Sequence, residues 1–265
     1  MYEFNYHRPA SLDEAKKILA ANDEAKLLAG GMTLLPTMKM RLARPSDLID
    51  LSAISELNGI TDTGDAIVVG AMSRHAEVAS SDVVKASIPA LAELAEQIGD
   101  AQVRNRGTIG GSLANSDPAA DYPAAVLGLG ATVRTDQREI AADDYFQGMF
   151  ETALGDGEMI VSVSFPKPER ATYAKFPNPA SRYAVVGVMV AETSGGVRVA
   201  VTGAGACAFR ATAFEEALTS TMSADAIADL SVDSAELNSD LHASADYRAH
   251  LVTVMARRAV QALGD

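Results

Sequence analysis

A glycine-rich stretch near the middle of the chain constrains the fold more than any other segment. Between residues 107 and 123 the sequence is G-T-I-G-G-S-L-A-N-S-D-P-A-A-D-Y-P, with three glycines within five residues. Glycine lets a backbone turn through positive φ and approach a ligand closely, and the hydroxyls of Thr108 and Ser112 can donate hydrogen bonds to an anion. Donors early in the stretch, followed by the carboxylates of Asp117 and Asp121, suit a dinucleotide ligand.

The same stretch also suits a surface loop in which Asp117 or Asp121 caps a helix through an Asx turn. It does not follow the G-x-G-x-x-G pattern of Rossmann dinucleotide sites, which comes directly after a strand and opens a helix. Here the order is G-x-x-G-G, after residues with a helical pattern. The stretch by itself therefore leaves a ligand site and a structural loop as alternatives.

A second glycine turn occurs much earlier in the chain. An apolar run at residues 26–29 predicts a strand, Gly30 and Gly31 break it, and residues 34–42 have helical spacing. A strand, a Gly-Gly turn and a helix in this order point backbone N–H groups and the positive end of the helix dipole at whatever lies above the turn. A plain tight turn is the alternative.

Composition excludes several classes of function. The chain has 265 residues, a net charge of −13 and a single cysteine. The acidic balance argues against a nucleic-acid partner, which needs a basic face. One cysteine excludes an internal disulfide and a Cys₄ iron–sulfur or zinc site, and favours a cytoplasmic setting. The four histidines lack ligand spacing, so we expect no metal site. No apolar run is long enough to predict a membrane span.

The pattern of the whole chain predicts an α+β protein in three lobes, with domain boundaries that give residues 1–55, 56–167 and 168–265. Valine-rich segments at residues 184–193 and 196–202 predict an antiparallel sheet in the last lobe. The helices expected behind that sheet lie at residues 212–220, 223–230 and 246–263.

Two local signals predict where helices begin in the first two lobes. Ser11 and Glu14 form a capping box, which predicts a helix to about Asn22. Ser73 is a candidate cap for a short helix through Val78.

Taken together, the two glycine motifs resemble the FAD-binding medium subunit of the xanthine dehydrogenase and aerobic carbon monoxide dehydrogenase family. The motifs are A-G-G-M-T-L-L-P-T-M-K, which starts at Ala29, and R-N-R-G-T-I-G-G-S-L-A-N-S-D-P-A-A-D-Y-P, which starts at Arg104. The resemblance covers essentially the whole chain. The further segments that fall in the order of the family are residues 69–72, 158–166, 175, 183–187 and 202–205.

The resemblance implies a two-subdomain FAD-binding module of the vanillyl-alcohol oxidase (PCMH) type, followed by a C-terminal α+β domain with an antiparallel sheet and helices. It also implies that both glycine turns hold the FAD pyrophosphate through backbone amides. The residues assigned in this way to the first turn are Ala29, Gly30, Gly31, Met32, Thr33 and Leu34. Those assigned to the second turn are Thr108, Ile109, Gly110, Gly111 and Ser112.

The resemblance implies further roles around the cofactor. Asp121 would accept a hydrogen bond from a hydroxyl or amide of FAD, and Tyr183 would pack on one face of the flavin ring. Lys175 would lie near that ring, where a cation stabilises its reduced, anionic form. From the residues alone, Ile160 and Tyr183 suit core positions and Lys175 suits a surface charge equally well. The apolar residues placed along the pocket by the resemblance are Ile98, Ala101 and Ile160.

Two positions depart from the pattern of the family. Met32-Thr33 stands where His or Gln followed by Ser is common, and Ser112 stands where Asn is common. The glycines and at least one hydroxyl are kept, so we still expect phosphate binding, whereas the contacts to the ring are left open.

The resemblance implies an oxidoreductase subunit that binds FAD and has no catalytic acid–base residue or metal of its own. Its partners would be a large molybdopterin-containing subunit, which oxidises the substrate, and a small subunit with two [2Fe–2S] clusters, assembled as a dimer of heterotrimers. Electrons would leave FAD for NAD⁺, oxygen or a quinone. A stand-alone FAD-dependent oxidase and a scaffold subunit that no longer binds FAD are the alternatives. The substrate of the complex, whether carbon monoxide, a purine, an N-heterocycle or an aldehyde, is not encoded here.

Overall fold

The structure, a computed structural model, describes residues 1–264. The first lobe is a small parallel sheet with strand order β1-β3-β2 and two helices. Its first helix begins as the capping box predicts, because Ser11 Oγ accepts from the Glu14 amide at 3.3 Å and the Glu14 carboxylate accepts from the Ala10 amide at 2.9 Å. The elements are β1 (Asn5–His7), α1 (Leu12–Ala21), β2 (Lys26–Leu28), α2 (Leu34–Lys39) and β3 (Asp47–Asp50).

The second lobe contains a five-stranded antiparallel sheet with strand order β4-β5-β10-β6-β7. A two-stranded hairpin, β8-β9, lies outside this sheet. The elements are β4 (Ile60–Asp62), β5 (Ala66–Gly70), α3 (His75–Ser80), α4 (Asp82–Ser87), α5 (Pro89–Glu96), α6 (Ala101–Arg104), α7 (Ile109–Asn115), α8 (Tyr122–Gly128), β6 (Thr132–Thr135), β7 (Glu139–Ala141), α9 (Ala142–Tyr145), β8 (Phe146–Gly148), β9 (Glu151–Thr152) and β10 (Ile160–Pro166).

Helix α8 lies between the second and third lobes. Every residue of this helix is buried, since it packs on strands of the third lobe and on helices α5, α7 and α9 of its own lobe. Gly128 allows the closest approach, because a Cβ there would lie 2.5 Å from Met189 Cγ. A helix that is apolar on all sides is typical of such an enclosed position.

The third lobe is an antiparallel sheet with strand order β11-β12-β13-β14, backed by a long C-terminal helix. Valines of β12 and β13 form a separate apolar core with this helix and with Phe214. The valine-rich segments at residues 184–193 and 196–202 predict an antiparallel sheet here, and that prediction is confirmed. The elements are β11 (Arg170–Pro177), β12 (Ala184–Thr193), β13 (Gly196–Thr202), β14 (Phe209–Arg210), α10 (Thr212–Ser220) and α11 (Ala245–Gly264).

Two local predictions are wrong. Ser73 does not cap α3; its hydroxyl donates to the Gly59 carbonyl, and the helix begins after Arg74, whose amide donates to the Glu77 carboxylate at 2.7 Å. Residues 223–230 form successive turns instead of a helix. There the amides of Ala226, Ala228 and Leu230 each bond to the carbonyl three residues back instead of four, as in successive tight turns.

Among residues 1–264, no helix combines the length and the apolar character needed to cross a bilayer.

Candidate cofactor-binding site

The two glycine turns touch each other although they come from different lobes. A Cβ on Gly30 would lie 2.1 Å from the Arg106 carbonyl oxygen and 2.8 Å from Gly107 Cα. A Cβ on Gly111 would lie 3.2 Å from Ala29 Cβ. Only residues without side chains fit at the first of these contacts, so the glycines are required for the turns to meet.

Both turns line one cavity of about 1470 Å³. The cavity therefore lies where the first and second lobes join, with part of the third lobe at its edge. The residues assigned to the cofactor from the sequence that line it are Ala29, Gly30, Gly31, Met32, Thr33, Leu34, Ile98, Thr108, Gly110, Gly111, Ser112, Asp121, Ile160 and Tyr183.

The first turn lines the cavity with residues whose backbone amides have no protein acceptor in the described part of the chain. Gly31 has φ of +73°, which L side chains rarely adopt. Helix α2 follows directly, and its N-cap Thr33 makes no side-chain capping bond. Within residues 1–264, the amides of residues 31–34 donate to no other protein group. These unsatisfied N–H groups at a helix N-terminus suit an anion.

The second turn differs from the sequence-based expectation. Its glycines open helix α7, and the amides of residues 109–112 are already bonded within the protein. Those of Ile109 and Gly110 donate to the carbonyls of Ser73 and Ala71 at 3.1 and 2.8 Å. That of Gly111 donates to Thr108 Oγ1 at 3.1 Å, and that of residue 112 to the Thr108 carbonyl. Because these four amides are satisfied, the donors left at this turn are the Thr108 amide, which donates to no protein group within residues 1–264, and side chains.

Apolar residues of the second lobe form part of the cavity wall. Ile160 is 7% exposed at the start of β10, and Ile98 is partly buried where α5 ends. The carbonyls of Ile98 and Gly99 are fixed by the Arg104 guanidinium, which donates to both at 3.1 Å. Arg182 of the third lobe also donates to Gly99, at 3.2 Å. Guanidinium groups from two lobes therefore hold this part of the wall in place.

Asp121 forms a buried ion pair with Lys175. Lys175 Nζ donates to Asp121 Oδ2 at 2.9 Å, and Tyr173 donates to Oδ1 at 2.5 Å. The Lys175 and Asp121 side chains are 1% and 4% exposed. Burial raises the pKa of Asp121, whereas the Lys175 ammonium and the Tyr173 hydroxyl both favour the carboxylate. A charge pair this enclosed is stable only because each member neutralises the other.

Three residues assigned to the cofactor from the sequence do not line the cavity. Ala101 is exposed at the start of α6. The side chain of Ile109 is fully buried in the core of the second lobe. Lys175 points its ammonium at Asp121 and at the Gln97 carbonyl, so its charge is paired within the protein and does not line the cavity.

Tyr183 lies at the mouth of the cavity and is 47% exposed. It ends a turn of the third lobe that is organised by Asn178, whose side chain accepts from the amides of Ala180 and Ser181. Arg182, in the same turn, has φ of +62°, a conformation that non-glycine residues seldom adopt. The Asn178 bonds and the Arg182–Gly99 contact hold the turn over the opening.

Sequence reasoning did not identify His75, which lines the same cavity. The imidazole is 5% exposed, and its backbone amide donates to the Gly107 carbonyl at 3.0 Å. Burial lowers the pKa of His75 to about 4, and the charge of Arg104 acts in the same direction. The only available sequence signal was its place shortly after the V-G-A-M segment. The contact between His75 and Gly107 could not be predicted, because the two residues are far apart in the sequence.

Glu158 also lines the cavity and fixes the turn before β10. It accepts both guanidinium bonds of Arg138 at 3.0 and 3.1 Å, the Thr135 hydroxyl at 2.7 Å and the Gly155 amide at 2.7 Å. Hydrogen bonding to Arg138 is the main cause that lowers the pKa of Glu158 to about 2. Because its oxygens are satisfied, this carboxylate is structural.

The residues present fit a dinucleotide. Gly30 and Gly107 leave a close backbone junction that any Cβ would fill, and free amides at the first turn can bind a diphosphate. Apolar side chains such as Ile98 and Ile160 suit an aromatic ring system. Such a mixture of convergent donors and apolar walls is typical of cofactor sites.

Comparison with known proteins agrees with this geometry. The family described as FAD binding domain in molybdopterin dehydrogenase matches residues 2–168, and the CO dehydrogenase flavoprotein C-terminal domain matches residues 171–263. The carbon monoxide dehydrogenase medium chain of Hydrogenophaga pseudoflava is 36% identical over 276 residues, which cover 98% of this chain and 96% of that protein. The glyceraldehyde dehydrogenase medium chain of Sulfolobus acidocaldarius is 34% identical, covering 97% of each chain.

The solved carbon monoxide dehydrogenase of Hydrogenophaga pseudoflava has the same fold. It matches with a TM-score of 0.89 and 37% identity, covering 99% of this chain and 98% of that one. The resemblance and the fold class inferred from the two glycine motifs are confirmed. The chain therefore belongs to the family of FAD-binding medium subunits of molybdenum-containing oxidoreductases.

Proposed function

We propose that this chain holds FAD in the cavity between the two glycine turns and serves as the electron-transfer subunit of a molybdenum hydroxylase. The observation that carries the proposal is the direct contact of the two turns at Gly30 and Gly107, on one cavity of about 1470 Å³. Two remote motifs with anion donors are brought together there, as a diphosphate in the middle of a long ligand requires.

The side chains of the cavity bind and orient the cofactor, and none of them has to perform acid–base chemistry. FAD, when bound, supplies the redox chemistry of its isoalloxazine ring. The free amides of the first turn hold phosphate, and Ile98 and Ile160 exclude water from an apolar section. Asp121 is held as an acceptor by Lys175 and Tyr173, while Tyr183 at the mouth leaves room for a donor or an acceptor to approach.

We infer the partner subunits from the different substrates of the relatives. The names of the relatives specify medium chains of enzymes for substrates as different as carbon monoxide and glyceraldehyde. Medium chains with a similar fold thus serve different substrates, so we place substrate oxidation in a large molybdopterin subunit. A small iron–sulfur subunit would pass the electrons to this chain, and NAD⁺, oxygen or a quinone would receive them. We expect a dimer of heterotrimers in the cytoplasm.

Expression of the chain alone tests FAD binding. We expect the purified protein to bind one FAD per chain, with a flavin absorption band, and to oxidise no organic substrate until both partner subunits are added. Gly30→Val separates the two turns, because its Cβ would overlap the Arg106 carbonyl, and abolishes binding. Gly195→Ala is the matched control, since that glycine is exposed in a hairpin and a Cβ there meets only Thr193 Oγ1 at 3.7 Å.

Two outcomes would contradict the proposal. A colourless protein that takes up no added FAD would favour the scaffold alternative. Hydrogen peroxide produced by the isolated chain from an organic substrate would favour a stand-alone oxidase.

A further inference from the structure

We propose that His75 is a neutral side-chain donor of the cavity, whose Nε2–H binds the phosphate of the ligand at the second glycine turn. The inference rests on the proposed binding of FAD and adds a residue to that site. It starts from the bonding of the second turn, where the amides of Ile109, Gly110 and Gly111 already have acceptors in the protein. Apart from the Thr108 amide, an anion at this turn therefore needs donors from side chains.

The position of His75 meets that need. Its ring lies directly against the second turn, since a Cβ on Gly107 would lie 2.4 Å from His75 Nε2. Gly107 in turn contacts Gly30, because a Cβ on Gly30 would lie 2.8 Å from Gly107 Cα. The imidazole is therefore next to the junction of the two turns, and it lines the cavity.

The environment of the other ring nitrogen selects the tautomer. Nδ1 is buried and has no hydrogen-bond partner within residues 1–264. Enclosing an unpaired N–H costs more than enclosing an unpaired lone pair, as orphaned donors are the rarer of the two in proteins. The proton accordingly resides on Nε2. The ring of Tyr122, with its centroid 5.3 Å from that of His75 and tilted by 53°, keeps the imidazole in this orientation.

The charge state agrees with a neutral donor. Burial lowers the pKa of His75 to about 4, and the nearby Arg104 guanidinium also disfavours a second proton. At neutral pH the ring therefore donates a hydrogen bond without adding charge. The side-chain donors that accompany it at this turn are the hydroxyls of Thr108 and Ser112, both of which line the cavity.

Binding measurements on three variants test the role. FAD and riboflavin, which lacks phosphate, are titrated separately by fluorescence. We expect His75→Leu to weaken FAD binding tenfold or more and to leave riboflavin affinity within twofold. His75→Gln, whose side-chain amide can donate from nearly the same place, should retain FAD binding within threefold of the unsubstituted protein. His250→Leu, on the exposed side of α11, is the matched control and should bind both ligands normally.

Nitrogen NMR on the unsubstituted protein provides a second measurement that does not depend on how the variants fold. We expect the His75 ring to show the Nε2–H tautomer at pH 7 and its Nε2 resonance to move when FAD is added. An Nδ1–H tautomer, or an Nε2 resonance unchanged by FAD, would overturn the inference.

The binding data also separate two kinds of failure. Normal FAD affinity in His75→Leu, or equal losses for FAD and riboflavin, would overturn the role of His75 and leave the proposed function intact. If the unsubstituted protein bound no FAD, the proposed function would fail and this inference with it.

Discussion

The two glycine turns face the same cavity but offer it different chemistry. At the first turn the amides of residues 31–34 have no acceptor within residues 1–264, and the N-cap Thr33 makes no side-chain bond. At the second turn the amides of residues 109–112 are bonded within the protein, and the N-cap Thr108 accepts from Gly111.

The two turns also differ in how firmly they are held. Gly110 and Ile109 are buried, and their amides are tied to the end of β5 through Ala71 and Ser73. Met32 and Thr33, by contrast, are exposed. A glycine-rich motif can therefore serve either as a set of main-chain donors or as a rigid backbone that positions side-chain donors.

The largest expected effect comes from substituting the more firmly held glycine. In Gly110→Ala the new Cβ would lie 2.6 Å from Ala71 Cβ and 2.7 Å from the Ala71 carbonyl oxygen. The backbone must move and the amide bond to Ala71 weakens, so we expect a loss of about 3 kcal/mol in the free energy of unfolding. Urea unfolding monitored by circular dichroism measures it.

Gly31→Ala is the comparison variant at the first turn. Its Cβ would approach only the flexible side chains of Leu35, at 2.8 Å, and Leu28, at 3.2 Å, although the φ of +73° is unfavourable for alanine. We expect a cost of about 1 kcal/mol. Equal costs for Gly110→Ala and Gly31→Ala would mean that the two turns are held equally firmly.

Acidification should affect the second turn through His75. The pKa of this imidazole falls from 6.5 to about 4 on folding because the ring is buried. Between about pH 4 and pH 6.5 the unfolded chain binds more protons than the folded protein does. The stability contributed by the neutral ring is therefore present above pH 6.5 and is lost as the pH falls toward about 4. We expect a loss of about 2 kcal/mol between pH 7.5 and pH 5.

His75→Gln isolates this contribution, because glutamine does not titrate. Unfolding of both proteins across the pH range should show the stability of the unsubstituted protein decreasing relative to that of His75→Gln. Parallel pH profiles would contradict the assignment.

The smallest effects should come from the two caps. Thr108→Ala removes the bond to the Gly111 amide, and we expect it to cost about 1 kcal/mol. Thr33→Ala removes no capping bond, so its cost should remain below about 0.5 kcal/mol. Hydrogen exchange at the Gly111 amide, which Thr108→Ala should accelerate and Thr33→Ala should leave unchanged, is the accompanying measurement.

Much of the architecture could be predicted from local sequence. The capping box at Ser11 and Glu14 begins a helix where it predicts one, because each of these side chains bonds to an amide no more than four residues away in the chain. The valine-rich strands β12 and β13 pair as expected. Predictions at Ser73 and at residues 223–230 are wrong. The hydroxyl of Ser73 has a tertiary partner in Gly59, and the amide-to-carbonyl bonds within residues 223–230 reach three residues back, as in turns.

The composition of the cavity was predicted less completely. Both glycine turns line it, but Ala101 and Ile109 do not, since one is exposed and the other is core. Lys175 does not line the cavity because its ammonium is held in an ion pair with Asp121, a partner that no local sequence pattern specifies. His75 was not identified, because the contact that places it at the site spans two segments of the second lobe.

The sequence by itself determined the family, the α+β class and the two glycine motifs, because these depend on residue identity and on spacing over a few positions. Only the tertiary structure decided which amides remain free, where the Lys175 charge points and which histidine reaches the cavity. These properties depend on the groups that other segments bring within hydrogen-bonding distance, such as the carbonyls of Ala71 and Ser73 at the second turn.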